Sequence, residues 1–337
     1  MTRRPTIIDV ARLAGVSKAT AARVLNGDST LVRPATCERV LQAATQLGYE
    51  RNAVAGSLRT DQTHIVALSI PDITNPFWPE VARGVQDSLE RLGYAALTVN
   101  TDWNADREQH YLRLVRRSRF DGLIINPAHV SNDALKSLHI PVVILGSGRY
   151  YPDFDSVGSA TQDAVVESLT HLYELGHRRI GLCAGHSRHN TERSRYDGYI
   201  TFHARHGLPL EEDLIIETEF SELAGYDAML RLMQTPRPPS AVFAANDILA
   251  IGALRAAQSL GCDVPGDVSI MGMDDIYAAS ITSPALTTVA KPKYDIGQRA
   301  AELLIARLTG QTSPPQHLQL PCRLVRRGST AAYTATP

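Results

Sequence analysis

Lys18, Ala19 and Arg23 are spaced so that all three fall on one outward face of a short helix, KATAARVLN, whose other Ala, Val and Leu positions turn inward. A lysine and an arginine so placed make a local cationic surface, and the charge around them is unevenly distributed. Residues 1–60 hold nine Lys/Arg against four Asp/Glu, a net of +5, while the whole chain holds 34 against 35. The remaining 277 residues are therefore acidic, 25 against 31. A basic head on an acidic body implies contact with nucleic acid or another anionic surface at the N-terminal end.

Other constellations carry less chemistry. Gly146-x-Gly148-x-x-Tyr151 follows a strand-like run and imitates a dinucleotide fingerprint, but the third glycine is missing and Pro152 stands where a helix must begin. His186/His189 and His203/His206 have the i, i+3 spacing of a metal-binding helix face without a matching acidic or cysteine partner. Cys37, Cys183, Cys262 and Cys322 include no close pair, which fits neither a disulfide framework nor a CxxC site, and each reads as a small buried hydrophobe. No nucleophile, base and orienter stand out as a set. Neither catalysis, a cofactor nor a metal is expected.

These residues need a scaffold, and 337 residues with 44% hydrophobic content supply one of two or three domains. MTRRPTIIDV has early arginines but no following apolar run or cleavage site, and the strongest apolar stretch, residues 65–70, is strand-length. The expectation is a soluble, cytoplasmic protein with no membrane contact.

Thr6-x-x-Asp9 begins a first helix over about 6–13 as a capping-box-like start, and Gly15 stops it. Ser17 can cap the second helix, ended by Gly27; Pro34 suits the first turn of a third, closed by Gly48. Two short helices joined by the tight turn Ala14-Gly15-Val16, with a third closing the core, have helix-turn-helix geometry. Residues 52–59 are too few for a stable isolated helix and read as a linker that folds when held. From His64, strand-like runs alternate with amphipathic helices, which implies right-handed βαβ units and parallel sheets. Two consecutive α/β series of similar size imply two lobes facing one cleft, with ligands at the carboxyl ends of the strands. The expected division is a DNA-binding head over 1–50, a hinge over 51–62 and a two-lobed body over 63–337. The tail from Gln311 carries no leucine heptad for tetramerisation.

The head TIIDVARLAGVSKATAARVLNG resembles the DNA-binding signature of the LacI/GalR family of bacterial transcriptional repressors. The likeness continues in order through Leu47-Gly48-Tyr49, Asn52 to Leu58, Asn75-Pro76-Phe77-Trp78, Leu175-Gly176-His177-Arg178-Arg179-Ile180, Ala245-Asn246-Asp247, Gly272-Met273-Asp274-Asp275 and Leu286-Thr287-Thr288-Val289. It covers nearly the whole chain and implies a helix-turn-helix head, a hinge helix and a body of the type I periplasmic-binding-protein fold.

The resemblance implies that the second helix enters the major groove with Lys18, Ala19 and Arg23 at base edges. Arg23 can bond guanine O6 and N7 bidentately, and Ala19 can only pack on a thymine methyl. Ser17, Thr20 and Asn26 would position phosphates without reading sequence. Ala21-Ala22 in place of the usual Val-Ser, and Arg33 where a capping Ser or Thr is common, bear on the phosphate contacts. Leu58 matches the leucine that wedges into the minor groove at the operator centre. Two hinges must meet there, which implies a homodimer on a pseudo-palindrome of double-stranded DNA.

In the body the resemblance implies an effector site of Phe77, Trp78, Arg195, Asn246, Asp274 and Lys291. The aromatic pair would stack on a ligand face, with helix-start packing as the competing reading. Arg195 would donate a fork of hydrogen bonds, with Arg193 as a near neighbour that could take its place. Asn246 is read as a ligand group and Asp247 as the helix cap, while Asp274 would accept from hydroxyls. Leu145-Gly146-Ser147 and Ser159-Ala160 replace acidic positions of relatives, so one pocket carboxylate is missing. This set describes a sugar or sugar-derivative site and equally a purine site.

The expected function is an effector-controlled repressor. The alternatives are a transport-type solute-binding protein, against which the basic head counts, and a purine- or nucleoside-responsive regulator with a corepressor.

Overall fold

The computed structural model describes residues 5–28, 30–50, 62–185 and 193–333. Leu58 of the expected hinge, and His186 with His189, lie outside the described residues. The chain divides into two compact units, Met1–Thr63 and His64–Pro337.

The first unit contains α1 (Ile7–Leu13), α2 (Lys18–Leu25) and α3 (Pro34–Leu47). A full capping box opens α1: the Thr6 hydroxyl accepts from the Asp9 N–H at 3.4 Å, and the Asp9 carboxylate accepts from the Thr6 N–H at 2.9 Å. Gly15, at φ +63°, makes the turn into α2, where Ser17 Oγ accepts from the Thr20 N–H at 3.1 Å. Gly48 ends α3 in the left-handed conformation. Arg33 stands at the cap of α3 without a side-chain bond to it. The core is thin: its buried members are Val10, Val24 and Val40 with five alanines. Each valine contributes about 1.5 to 3 kcal/mol by leaving water, so the caps carry a large share of the unit's stability.

The second unit has two lobes. Lobe one is a parallel sheet of β1 (Ile65–Ile70), β2 (Ala95–Asn100), β3 (Gly122–Ile125), β4 (Val142–Leu145), β5 (Asp155–Ser159) and β11 (His317–Leu320), in the order β11-β5-β4-β3-β1-β2. Around it lie α4 (Phe77–Glu90), α5 (Ala105–Arg117), α6 (Asn132–Lys136) and α12 (Lys293–Leu308). Lobe two is a parallel sheet of β6 (Ile180–Gly185), β7 (Ile215–Glu217), β8 (Ala241–Ala244) and β9 (Ser269–Met271), in the order β7-β6-β8-β9. Its helices are α7 (Thr161–Glu174), α8 (Ser194–His206), α9 (Glu222–Met233), α10 (Asp247–Ser259) and α11 (Tyr277–Ile281). An antiparallel pair, β10 (Thr288–Ala290) and β12 (Arg323–Val325), completes the fold.

The lobes are interleaved along the chain, which corrects the expectation of two consecutive halves. After β10 the chain returns to lobe one, where α12 buries Ile296, Ala300 and Leu304 beside Val81 and Val85, and β11 pairs with β5. The apolar stripe of α12 requires a partner face, but its period is the same whichever sheet supplies that face. Two glycines let α4 and α12 approach closely. A Cβ at Gly84 would stand 2.1 Å from the Tyr294 carbonyl oxygen, and one at Gly297 would stand 2.0 Å from that of Val81. The Arg307 guanidinium grips the buried Asp155 carboxylate through bonds of 2.6 and 2.8 Å, tying α12 to β5.

Candidate functional site

Parallel strands place their carboxyl ends on one side of a sheet, and in this body both sheets turn those ends towards one cavity of about 110 Å³. That is many times the space one water requires. Phe77 and Trp78 follow β1, Trp103 follows β2, Asn126 follows β3 and Ser147 follows β4. Phe220 follows β7, Asn246 follows β8, Asp274 follows β9 and Lys291 follows β10, while Arg195 stands in the first turn of α8. The structure therefore brings together all six residues expected in the effector site. Arg195, not Arg193, lines the cavity; Arg193 pairs with Asp197 at 3.3 Å.

The aromatic residues serve both readings offered for them. Trp78 is a member of the lobe-one core and also faces the cavity, and Phe77 meets it edge-on with ring centres 4.9 Å apart. Trp103 stacks on Phe220 at 6.0 Å, joining the two lobes across the cavity. Sequence reasoning missed both, although each follows a strand end by the same rule that selected Phe77.

Asn246 takes the capping role expected of Asp247 and still borders the cavity. Asn246 is extended at φ −152° and ψ 171°, and its Oδ1 accepts from the Leu249 N–H at 2.9 Å, so Asn246 caps α10. Its Nδ2 is buried without a hydrogen-bond partner and borders the cavity. Asp247 points away: its carboxylate accepts from Thr288 Oγ1 at 2.5 Å and from the Ile276 N–H at 2.8 Å. Burial, reinforced by repulsion from Asp274, pushes its carboxyl up to about 8.

Asp274 is held in a conformation unusual for a side chain bearing a Cβ, with φ +109°. Lys293, itself buried, secures that turn by donating to the carbonyls of Asp274 at 2.7 Å and Asp275 at 2.8 Å. The Asp275 carboxylate accepts from Arg327 at 2.6 Å. Asp274 Oδ1 is buried without a hydrogen bond, 3.8 Å from the Lys291 ammonium. Burial raises its carboxyl above the usual carboxylate range, against the opposing pull of Lys291, Arg195 and Lys293. Lys291 also lies 5.0 Å from the Phe77 ring centre, and Arg195 5.7 Å from that of Phe220. Arg195 Nε donates to the Ala245 carbonyl at 2.6 Å.

On the separate N-terminal unit, Lys18, Ala19 and Arg23 are exposed on α2, as is Asn26 at its C-cap, while Ala21 and Val24 are buried. Ser17 is exposed but spends its hydroxyl on Thr20, through the cap and a contact of 2.9 Å between the two hydroxyls.

Residues 6–52 match the model of the lacI family of bacterial regulatory proteins, and residues 169–330 match a periplasmic binding protein-like domain. The catabolite control protein A of Priestia megaterium is 34% identical over 329 residues, covering 96% of this chain and 99% of that protein. The chain belongs to the lacI family of bacterial regulatory proteins. LacI-family proteins are DNA-binding transcriptional regulators, so the chain is a regulator with an effector-binding body and not an enzyme. Solved structures of LacI-family regulators share this architecture. The lac repressor dimer bound to operator and the anti-inducer ONPF has a TM-score of 0.87 at 26% identity, covering 98% of this chain and 100% of that one. The transcriptional regulator CelR in complex with cellobiose has a TM-score of 0.73 at 30% identity, covering 97% and 100%. Among the described residues no helix is long and apolar enough to cross a membrane, and no group of His, Cys, Asp and Glu is arranged to hold a metal ion.

Proposed function

We propose that this regulator is a cytoplasmic homodimeric repressor whose hold on a pseudo-palindromic operator is set by a small polar effector, a sugar or sugar derivative, in the cavity between its lobes. The observation that carries the reading is the pair of buried polar atoms, Asn246 Nδ2 and Asp274 Oδ1, both without hydrogen bonds at one cavity. Leaving such a group unpaired costs about 1 to 3 kcal/mol, and a ligand bearing hydroxyls relieves both. The stacked Trp103 and Phe220 and the Phe77 ring supply apolar faces for a sugar ring. In the head, the exposure of Lys18, Ala19 and Arg23 supports their meeting base edges, with Ser17, Thr20 and Asn26 at phosphates. Leu58 would wedge into the minor groove.

Effector binding would shift the dimer between two arrangements, only one of which lets the hinges fold on DNA. The coupling is reciprocal and typically ~1 to 3 kcal/mol, so an inducer that weakens DNA binding is itself bound less tightly by the DNA-bound form. The test is to select bound fragments from sheared genomic DNA at moderate salt and sequence them. A pseudo-palindrome beside sugar-uptake or catabolic genes is the expected result. Flat enrichment, unchanged by adding cell extract, refutes it.

A further inference from the structure

We propose that Trp103 and Phe220 set the size of the effector: their stack closes the cleft on the side away from the lobe crossovers and confines the effector to a single ring. The inference rests on the effector-pocket reading above and narrows it. The chain passes between the lobes after β5, β10 and β11. β5 and β11 form one edge of the lobe-one sheet, and β10 is bridged beside β9, at one edge of the lobe-two sheet, through Met271 and Thr287. Trp103 follows β2 and Phe220 follows β7, the outermost strands at the opposite edges of the two sheets. The crossovers therefore join one side of the cleft, and the stack, with ring centres 6.0 Å apart, spans the other.

Both rings are held from behind. Asp102 and Trp103 have φ of +49° and +55°, a backbone that residues bearing a Cβ seldom adopt and that needs support from its surroundings. That support is present: the Asp102 N–H donates to the Pro71 carbonyl at 2.7 Å, and His129 Nε2 donates to the Trp103 carbonyl at 2.9 Å. Phe220 lies on bare backbone, since a Cβ at Gly185, the last residue of β6, would stand 2.4 Å from its ring. A stack braced on both sides is a wall of fixed position. From it the cavity reaches Ser159 and Thr161 at the first crossover, and it encloses about 110 Å³. A cavity of about 150 Å³ holds one benzene ring, so the present space is on the scale of one ring and not of two. A second ring must part Trp103 from Phe220 and expose both faces.

The chain contains two tryptophans, Trp78 and Trp103, and both line the cavity, so intrinsic fluorescence reports its occupancy and Trp78 remains as reporter when Trp103 is replaced. The full-length protein is titrated with three pairs in which the larger member contains the smaller: D-glucose and cellobiose, D-galactose and lactose, D-ribose and adenosine. In the wild type one monosaccharide is expected to bind about tenfold more tightly than its larger counterpart, the factor that parting an aromatic pair supplies. Trp103→Ala and Phe220→Ala should each close most of that gap, while Trp103→Phe, which keeps a ring in place, should retain it. A larger member binding the wild type as tightly as its monosaccharide, or a gap unchanged in both alanine variants, overturns the size limit and leaves the effector-pocket reading standing. Silence to all six probes, in the wild type and in the variants, overturns both.

Discussion

Replacing Asp247 by Asn should make the body more stable in alkaline solution. Asp247 is fully buried, and its carboxyl stands at about 8 in place of 3.8 because burial and the nearby Asp274 disfavour its charge. The folded chain therefore holds the Asp247 proton more tightly than the unfolded chain does. The stability associated with that proton is present in full below about pH 4 and is lost as pH rises towards 8. At ~1.4 kcal/mol per pH unit, the shift corresponds to a ceiling on the order of 6 kcal/mol, about three-quarters of it lost by pH 7. Asn imitates the protonated acid: its Oδ1 can accept from the Ile276 N–H while its Nδ2 donates to Thr288 Oγ1. Urea unfolding followed by tryptophan fluorescence at pH 5, 7 and 9 reads the effect. The advantage of the Asp247→Asn chain over the wild type should be smallest at the lowest of these and grow by about 2 kcal/mol or more towards the highest. The buried histidines His177 and His203, whose ring pKa values are lowered by burial, lose stability in the opposite direction, as pH falls, and cancel in the difference. A difference that stays flat with pH, or a variant weaker than wild type at pH 9, would show that Asp247 is stabilised as a carboxylate and refute the argument.

Further outcomes follow from the same geometry. Arg23→Ala should abolish retention of specific operator fragments while leaving effector titration of the body unchanged; equal loss of both would contradict the separation of roles. Thr6→Ala removes half of the capping box and should cost about 1 kcal/mol in the melting of the N-terminal unit, a noticeable fraction for a core of three valines and five alanines. Gly84→Ala directs a Cβ at the Tyr294 carbonyl, so α4 and α12 must separate. That should cost about 1 to 3 kcal/mol in urea unfolding of the body. An unchanged midpoint would mean that the helices are not held at this distance.

Local order was legible in the residues themselves. The capping box at Thr6 and Asp9, the Ser17 cap, the Gly48 stop and the outward set Lys18, Ala19 and Arg23 all depend on groups three or four positions apart, where helix geometry alone decides which atoms meet. The resemblance likewise implied six residues that line the cavity, while βα alternation pointed only to the strand ends. Asn246 and Asp247 show where that reasoning stops. Both are good capping residues, and the choice between them was made by Thr288 and Ile276, 41 and 29 positions away in sequence, which claimed the Asp247 carboxylate and left Asn246 to cap α10. The return of α12 and β11 to lobe one was equally hidden, since an apolar stripe specifies that a face must be covered and not which sheet covers it. The stack of Trp103 on Phe220, and the meeting of Arg195, Asp274 and Lys291 at one cavity, join residues far apart in sequence and depend on how the two lobes pack. Local sequence determined the elements and the ends at which chemistry would sit; the long-range packing of two interleaved lobes decided which side chains share a cavity.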